Sequence, residues 1–193
     1  MTRTANFDPP DEQLVRRIGR GDSAALDELL RRHRSVAYRV AYRLLGNEAD
    51  ALDAVQDGFV KAIRHVDRFA QRSSFKTWLL RIVSNAALDL GRVRNRRDAR
   101  YVPDGHEAFP ELSDDRLAPA DHGMERADLR LSLEKALADL PEPQRQTFVL
   151  HAAGGLSYQE VADALGIAIG TVMSRLFYAR QRLKSYLSQH VAP

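Results

Sequence analysis

The stretch FAQRSSFKTWLLRIVSNAALDLGRVRNRR, residues 69–97, concentrates side chains able to hold nucleic acid. Arg72, Lys76, Arg81, Arg92, Arg94, Arg96 and Arg97 stand with Phe69, Phe75, Trp78 and Asn85. Guanidinium and ammonium groups answer phosphates, and aromatic rings stack on exposed bases. An amide pairs with the edge of a base held in a pocket. The alternative for Phe75 and Trp78 is packing in a core, and for Trp78 taken alone that reading is preferred, since lone helical aromatics are usually buried. For the Arg92 to Arg97 cluster the phosphate reading is preferred, because a merely solvated face would interleave acids with its cations.

A second stretch, GLSYQEVADALGIAIGTVMSR, residues 155–175, has the pattern of two short helices joined by a tight bend. Ser157 and Glu160 have capping-box spacing. Val161, Ala162 and Leu165 recur at helical spacing, and Gly166 can take a left-handed stop. A new helix starts at Gly170-Thr171, with Val172, Leu176, Ala179 and Leu183 on its inner face. Two helices about a short glycine-containing turn predict a helix-turn-helix. Ser174, Arg175 and Tyr178 then point outward; Arg175 either meets a base edge or pairs with an acid such as Glu160. A third stretch, EADALDAVQDGFVKAI, places Asp50, Asp53 and Asp57 on one helical face beside Gln56. Such a face repels DNA; it fits a basic protein partner, or is a solvated stripe.

The elements that position these residues are helical throughout. The spacing predicts a short helix near residues 11–19, then a long one capped by Asp22 or Ser23 and stopped by Gly46. A third runs through residues 47–69, with Ala51, Val55, Phe59, Ala62 and Val66 inward. A fourth begins after Ser73 or Ser74. In the C-terminal part, one helix ends at Pro141 and another closes at Gly154-Gly155 before the helix-turn-helix. No strand pattern is present.

Charge divides the 193 residues into three. Residues 1–98 hold 19 Lys/Arg and 13 Asp/Glu, a net of +6. Residues 99–125 hold 2 and 7, a net of −5, with Pro103, Pro110, Pro119, Gly105 and Gly123. Residues 126–193 hold 8 and 6, a net of +2. The middle composition predicts an extended acidic linker, and the two basic blocks predict two polyanion-facing modules. The fold class expected is therefore all-α: two small helical domains, 1–98 and 126–193, joined by a flexible acidic linker at 99–125. With no Cys, the chain has no disulfide framework and no thiolate site. The six His are scattered, without metal-ligand spacing. No apolar run is long enough for a bilayer and no secretory signal is present, so a cytoplasmic protein is expected. Neither a cofactor nor enzymatic activity is expected.

The joint order of DAVQDGFVKAI, SFKTWLLRIVSNAALDLGRVRNRR and LADLPEPQRQTFVLHAAGGLSYQEVADALGIAIGTVMSRLFYARQRLKSYL resembles the extracytoplasmic-function (ECF) group of bacterial RNA polymerase sigma factors. The resemblance covers roughly residues 11–98 and 126–188. It implies sigma domain 2, which binds the clamp of core RNA polymerase and melts the −10 promoter element. It also implies sigma domain 4, which binds the polymerase flap and reads the −35 element. By position, Asp50, Asp53, Gln56 and Asp57 would meet core polymerase. Phe75, Lys76, Trp78, Arg81, Asn85, Arg92, Arg96 and Arg97 would serve the −10 DNA, with a flipped base beside Asn85. Thr171, Ser174, Arg175, Phe177 and Tyr178 would serve the −35 DNA. The linker would thread the channel through which RNA leaves, its acids mimicking RNA. Partners implied are core polymerase, promoter DNA and, as is common in the family, an anti-sigma factor. Met173 and Tyr178 depart from the basic residues common at those positions, which removes two positive donors from the recognition helix. The rival readings are a stand-alone helix-turn-helix regulator binding palindromic duplex as a dimer, and an RNA-binding module.

Overall fold

The computed structural model describes residues 9–69, 72–98 and 123–190. Among them there are eight α-helices and one 3₁₀ turn, and no strand. The helices are α1 (Asp11–Ile18), α2 (Ser23–Leu45), α3 (Glu48–His65), α4 (Phe75–Asp98), α5 (Gly123–Ala138), α6 (Glu142–Ala152), α7 (Tyr158–Leu165) and α8 (Ile169–His190), with the 3₁₀ turn Val66–Arg68 after α3.

Local chemistry sets these boundaries. The Asp22 carboxylate accepts from the Ala25 amide, and Gly46 ends α2 at φ 75°. Asn47 caps α3 through the Asp50 amide. The Ser74 hydroxyl accepts from the Thr77 amide at the start of α4. Each cap satisfies an otherwise orphaned helix-end donor.

Helices α1–α4 form the first domain. Leu14, Leu29, Val40, Ala51, Leu79 and Val83 are among its buried residues. Helices α3 and α4 cross closely at Gly58, where a Cβ would meet Val83 Cγ2 at 2.8 Å. Helices α5–α8 form the second domain around Leu137, Leu150, Leu156, Val161, Val172 and Leu176. The expected all-α, two-domain architecture is what the chain adopts. The segment expected as linker differs at its end: α5 already begins at Gly123. Its remaining residues, 99–122, lie outside the described ones.

The two domains also pack on each other, which nothing in the sequence pattern specified. Helices α2 and α4 of the first meet α5, α6 and α7 of the second, and the buried apolar residues form one continuous cluster.

Candidate polymerase and nucleic-acid interfaces

Helix α4 carries the residues expected at the −10 element. Its inner side buries Leu79, Leu80, Val83, Ala86 and Ala87. Arg81, Asn85, Arg92 and Arg96 recur at helical spacing along the opposite side, all exposed. Lys76 is half-buried one turn earlier. The side chain of Arg97 is not among those described. Phe75 corrects its expectation as a base-facing ring: it is only 2% exposed and lies in the core. Trp78 is half-buried, with its ring 5.6 Å from Phe75 and 5.1 Å from Phe69. The three rings pack mutually, so Phe75 is the floor and Trp78 the rim of an aromatic cluster.

The second domain holds part of this line. Gln146 on α6 donates to Asn85 Oδ1 at 3.1 Å and to the Ser84 hydroxyl at 3.3 Å. Arg92 forks onto Glu142 at the start of α6, a pairing that raises the arginine's pKa. Lys76 Nζ donates to the Gly155 carbonyl at 3.3 Å. Thr77, 1% exposed, donates to Glu160 Oε1 at 3.1 Å. The sequence held no sign of these contacts, because they join residues of opposite domains.

On α3, Asp53, Gln56 and Asp57 are exposed, and Asp57 pairs with Lys61 at 2.7 Å. Asp50, expected beside them on the polymerase face, has partners within its own domain. It accepts from Asn47 Nδ2 at 2.9 Å and from Arg94 at 2.6 Å, so its charge is spent inside the domain. Leu52, Val60 and Ile63 are exposed on the same helix. They belong to no inward stripe, which was the signal available in the sequence.

The helix-turn-helix forms from α7 and α8, whose axes turn by 107°. The Ser157–Glu160 capping box is complete, and Gly166 ends α7 at φ 65°. Two hydrogen bonds from Ser157 and one from Thr77 outweigh burial and lower the Glu160 pKa. With its oxygens engaged by Ser157 and Thr77, Glu160 does not form the alternative pair with Arg175. Val172, Leu176, Ala179 and Leu183 are buried as their spacing requires. Ser174, Phe177 and Tyr178 are exposed, and Thr171 and Arg175 are half-buried. The Ser174 hydroxyl donates to the Thr171 carbonyl at 3.0 Å, and Arg180 donates to the Tyr158 hydroxyl at 3.2 Å, bracing α8 on α7. Among the described residues no group of His, Asp or Glu could hold a metal, and no single helix is long and apolar enough to cross a membrane.

Residues 29–97 match the family model described as Sigma-70 region 2, and residues 130–183 match Sigma-70, region 4. The ECF RNA polymerase sigma factor SigE of Mycolicibacterium smegmatis is 39% identical over 173 residues, 88% of this chain and 65% of that protein. The ECF RNA polymerase sigma-E factor of Escherichia coli K12 is 33% identical over 176 residues, 90% of this chain and 92% of that protein. The chain thus spans just under two thirds of the first relative and nearly all of the second. Among solved structures, CnrH in complex with the cytosolic domain of CnrY has a TM-score of 0.69 at 30% identity, covering 93% of this chain and 97% of that one. The sigma factor RpoE of Bartonella quintana, in complex with the anti-sigma factor NepR, has a TM-score of 0.59 at 33% identity, covering 79% and 89%. Two sigma-70 regions in order, each on its own helical domain, place the chain in a family: it belongs to the ECF group of RNA polymerase sigma factors, subunits that direct core polymerase to promoters.

Proposed function

We propose that this chain directs core polymerase by dividing the work among three surfaces. The exposed face of α3, with Asp53, Gln56 and Asp57 beside Leu52 and Ile63, docks on the polymerase clamp. Acids beside exposed apolar side chains suit a basic, partly apolar protein surface. The line on α4, Arg81, Asn85, Arg92 and Arg96 with Trp78 at its rim, takes the opened −10 strand. Helix α8 enters the major groove of the −35 element with Thr171, Ser174, Arg175, Phe177 and Tyr178.

The observation that carries this reading is the pairing, in one chain, of a helix-turn-helix with a separate helix whose exposed line joins cations to an amide. A duplex reader acting alone has no use for the second. The chain performs no bond chemistry of its own and acts in the cytoplasm, where core polymerase works. An anti-sigma factor is a further partner, by analogy with the NepR-bound relative.

The test is run-off transcription with core polymerase on a promoter library. Specific start sites are expected only with both proteins present. Charge reversal at Asp53 and Asp57 should cost about 2 kcal/mol or more of core binding if the acids are desolvated there. Co-purification of the double variant with core at parental yield overturns the clamp assignment. Tight binding to a palindromic duplex without polymerase overturns the function as a whole.

A further inference from the structure

Helix α8 carries Arg175, Arg180, Arg182 and Lys184 and no Asp or Glu. Its outer face is nevertheless apolar at the centre. Met173 is 50% exposed, Phe177 62% and Tyr178 53%. Met173 and Phe177 lie one turn apart on the same line. The Phe177 and Tyr178 rings meet edge to face, with centroids 5.4 Å apart. This ridge borders a shallow groove shared with Ser174, Gln181 and Lys184. Large side chains held in water on a contiguous surface mark a contact site. The absence of any acid on the helix, and the cations flanking the ridge, commit the occupant to a polyanion.

The major groove of a duplex offers one apolar feature to such a ridge, the C5-methyl group of thymine. We infer that Met173, together with Phe177 and Tyr178, is a specificity determinant that reads thymine methyl groups in the upstream promoter element. The inference rests on the proposed placement of α8 at the −35 element and deepens it. Arg175 and Lys184 hold phosphates or polar base edges, whereas the ridge selects positions where a methyl group fills its surface. Met173 suits this task because its thioether adapts to an irregular apolar contour. Exchange at this exposed position also leaves the domain core untouched.

The experiment uses holoenzyme and the best −35 element from selection, embedded in one promoter. Each thymine is replaced in turn by deoxyuridine, which deletes the methyl group and nothing else. Parental holoenzyme is expected to lose about four-fold in binding at one or two positions, the worth of one buried methyl group. Met173→Ala should bind the thymine element more weakly and respond less to deoxyuridine at one of those positions. Met173→Leu should restore the response. Phe177→Ala should erase the response at a neighbouring position. A promoter that depends on its −35 sequence but ignores deoxyuridine everywhere overturns the inference alone. So does an undiminished methyl response in both Ala variants. Association of the free chain into dimers that Met173→Ala disperses would assign the ridge to protein contact and overturn it as well. Transcription indifferent to the whole −35 element overturns the placement of α8 beneath it.

Discussion

Asn85 shows how much one side chain can be asked to do. Its amide stands on α4 between two arginines, exposed, and its Oδ1 already accepts a hydrogen bond from Gln146. An amide has both a donor and an acceptor, so it can exchange this partner for the edge of a flipped base without leaving either group unsatisfied. Asn85→Ala should therefore leave core binding unchanged and slow open-complex formation about five-fold, equivalent to one net hydrogen bond of about 1 kcal/mol. A promoter with a pre-melted −10 bubble should recover part of that loss, because unstacking and unpairing are then already done. Equal losses on duplex and bubble templates, measured by open-complex kinetics, would remove Asn85 from strand opening. The two aromatics nearby do different work. Phe75 is buried and supports the N-terminal turn of α4. Trp78 packs on Phe69 and Phe75, as the preferred packing reading required, and keeps part of its side chain at the surface. Residue types alone separate these cases poorly, since a Phe and a Trp three residues apart fall on adjacent parts of a helix and both pack on the same third ring, Phe69.

Elements were more legible than individual contacts. Ser157 and Glu160 announced the start of α7 because a capping box is a local device, complete within four residues. Gly46 and Gly166 announced helix ends for the same reason: their left-handed φ angles suit glycine. The inner stripe of α8 was readable because a helix face is set by periodicity alone. What periodicity does not carry is the fate of an outward acid. Asp50, Asp53 and Asp57 look equivalent in the sequence, yet Arg94, on a different helix, neutralises the first. Glu160 likewise does two tasks, capping α7 and accepting from Thr77 on α4, and only the first was visible. Its role has a pH signature. A carboxylate whose folded pKa lies below its ordinary value of 4.5 stabilises the fold fully above that value, and the contribution is lost as pH falls through the lowered folded value. Thermal melts below about pH 4.5 should lose stability, and Glu160→Gln should flatten that loss while lowering stability at neutral pH. Ser157→Ala should cost about 1 kcal/mol at neutral pH through the cap alone. A Glu160→Gln protein with the parental acid profile would show that the carboxylate's charge has no structural role.

At the scale of the whole molecule, the surfaces assigned to promoter DNA are not all free together. Helix α6 lies against the middle of the α4 line, holding Asn85 through Gln146 and Arg92 through Glu142, while Gly155 holds Lys76. If the opened −10 strand takes the α4 line as proposed, it competes with α6 for the same donors, and a chain engaged with it must first part its two domains there. The polar part of the contact suits parting. Its polar pairs are few, and Arg92 and Glu142 remain partly exposed, where an ion pair contributes little and is weakened by salt. The apolar cluster that runs through both domains must also open for the domains to part, and it sets the larger share of the cost. The acid at residue 142 is the point to test, since reversing it turns attraction to Arg92 into repulsion without touching the α4 line. Glu142→Lys combined with Gln146→Ala should open the free chain, read as a longer distance between fluorophores placed on one introduced cysteine in each domain. The parent has no cysteine to interfere. The same variant should bind a single-stranded −10 oligonucleotide several-fold more tightly than the parent in the absence of polymerase. The advantage should shrink once core polymerase is bound, because docking each domain on a separate site separates them in parent and variant alike. If the opened variant binds the oligonucleotide no better than the parent, the line on α4 is not what α6 conceals. The −10 strand must then be sought on a different face of the first domain.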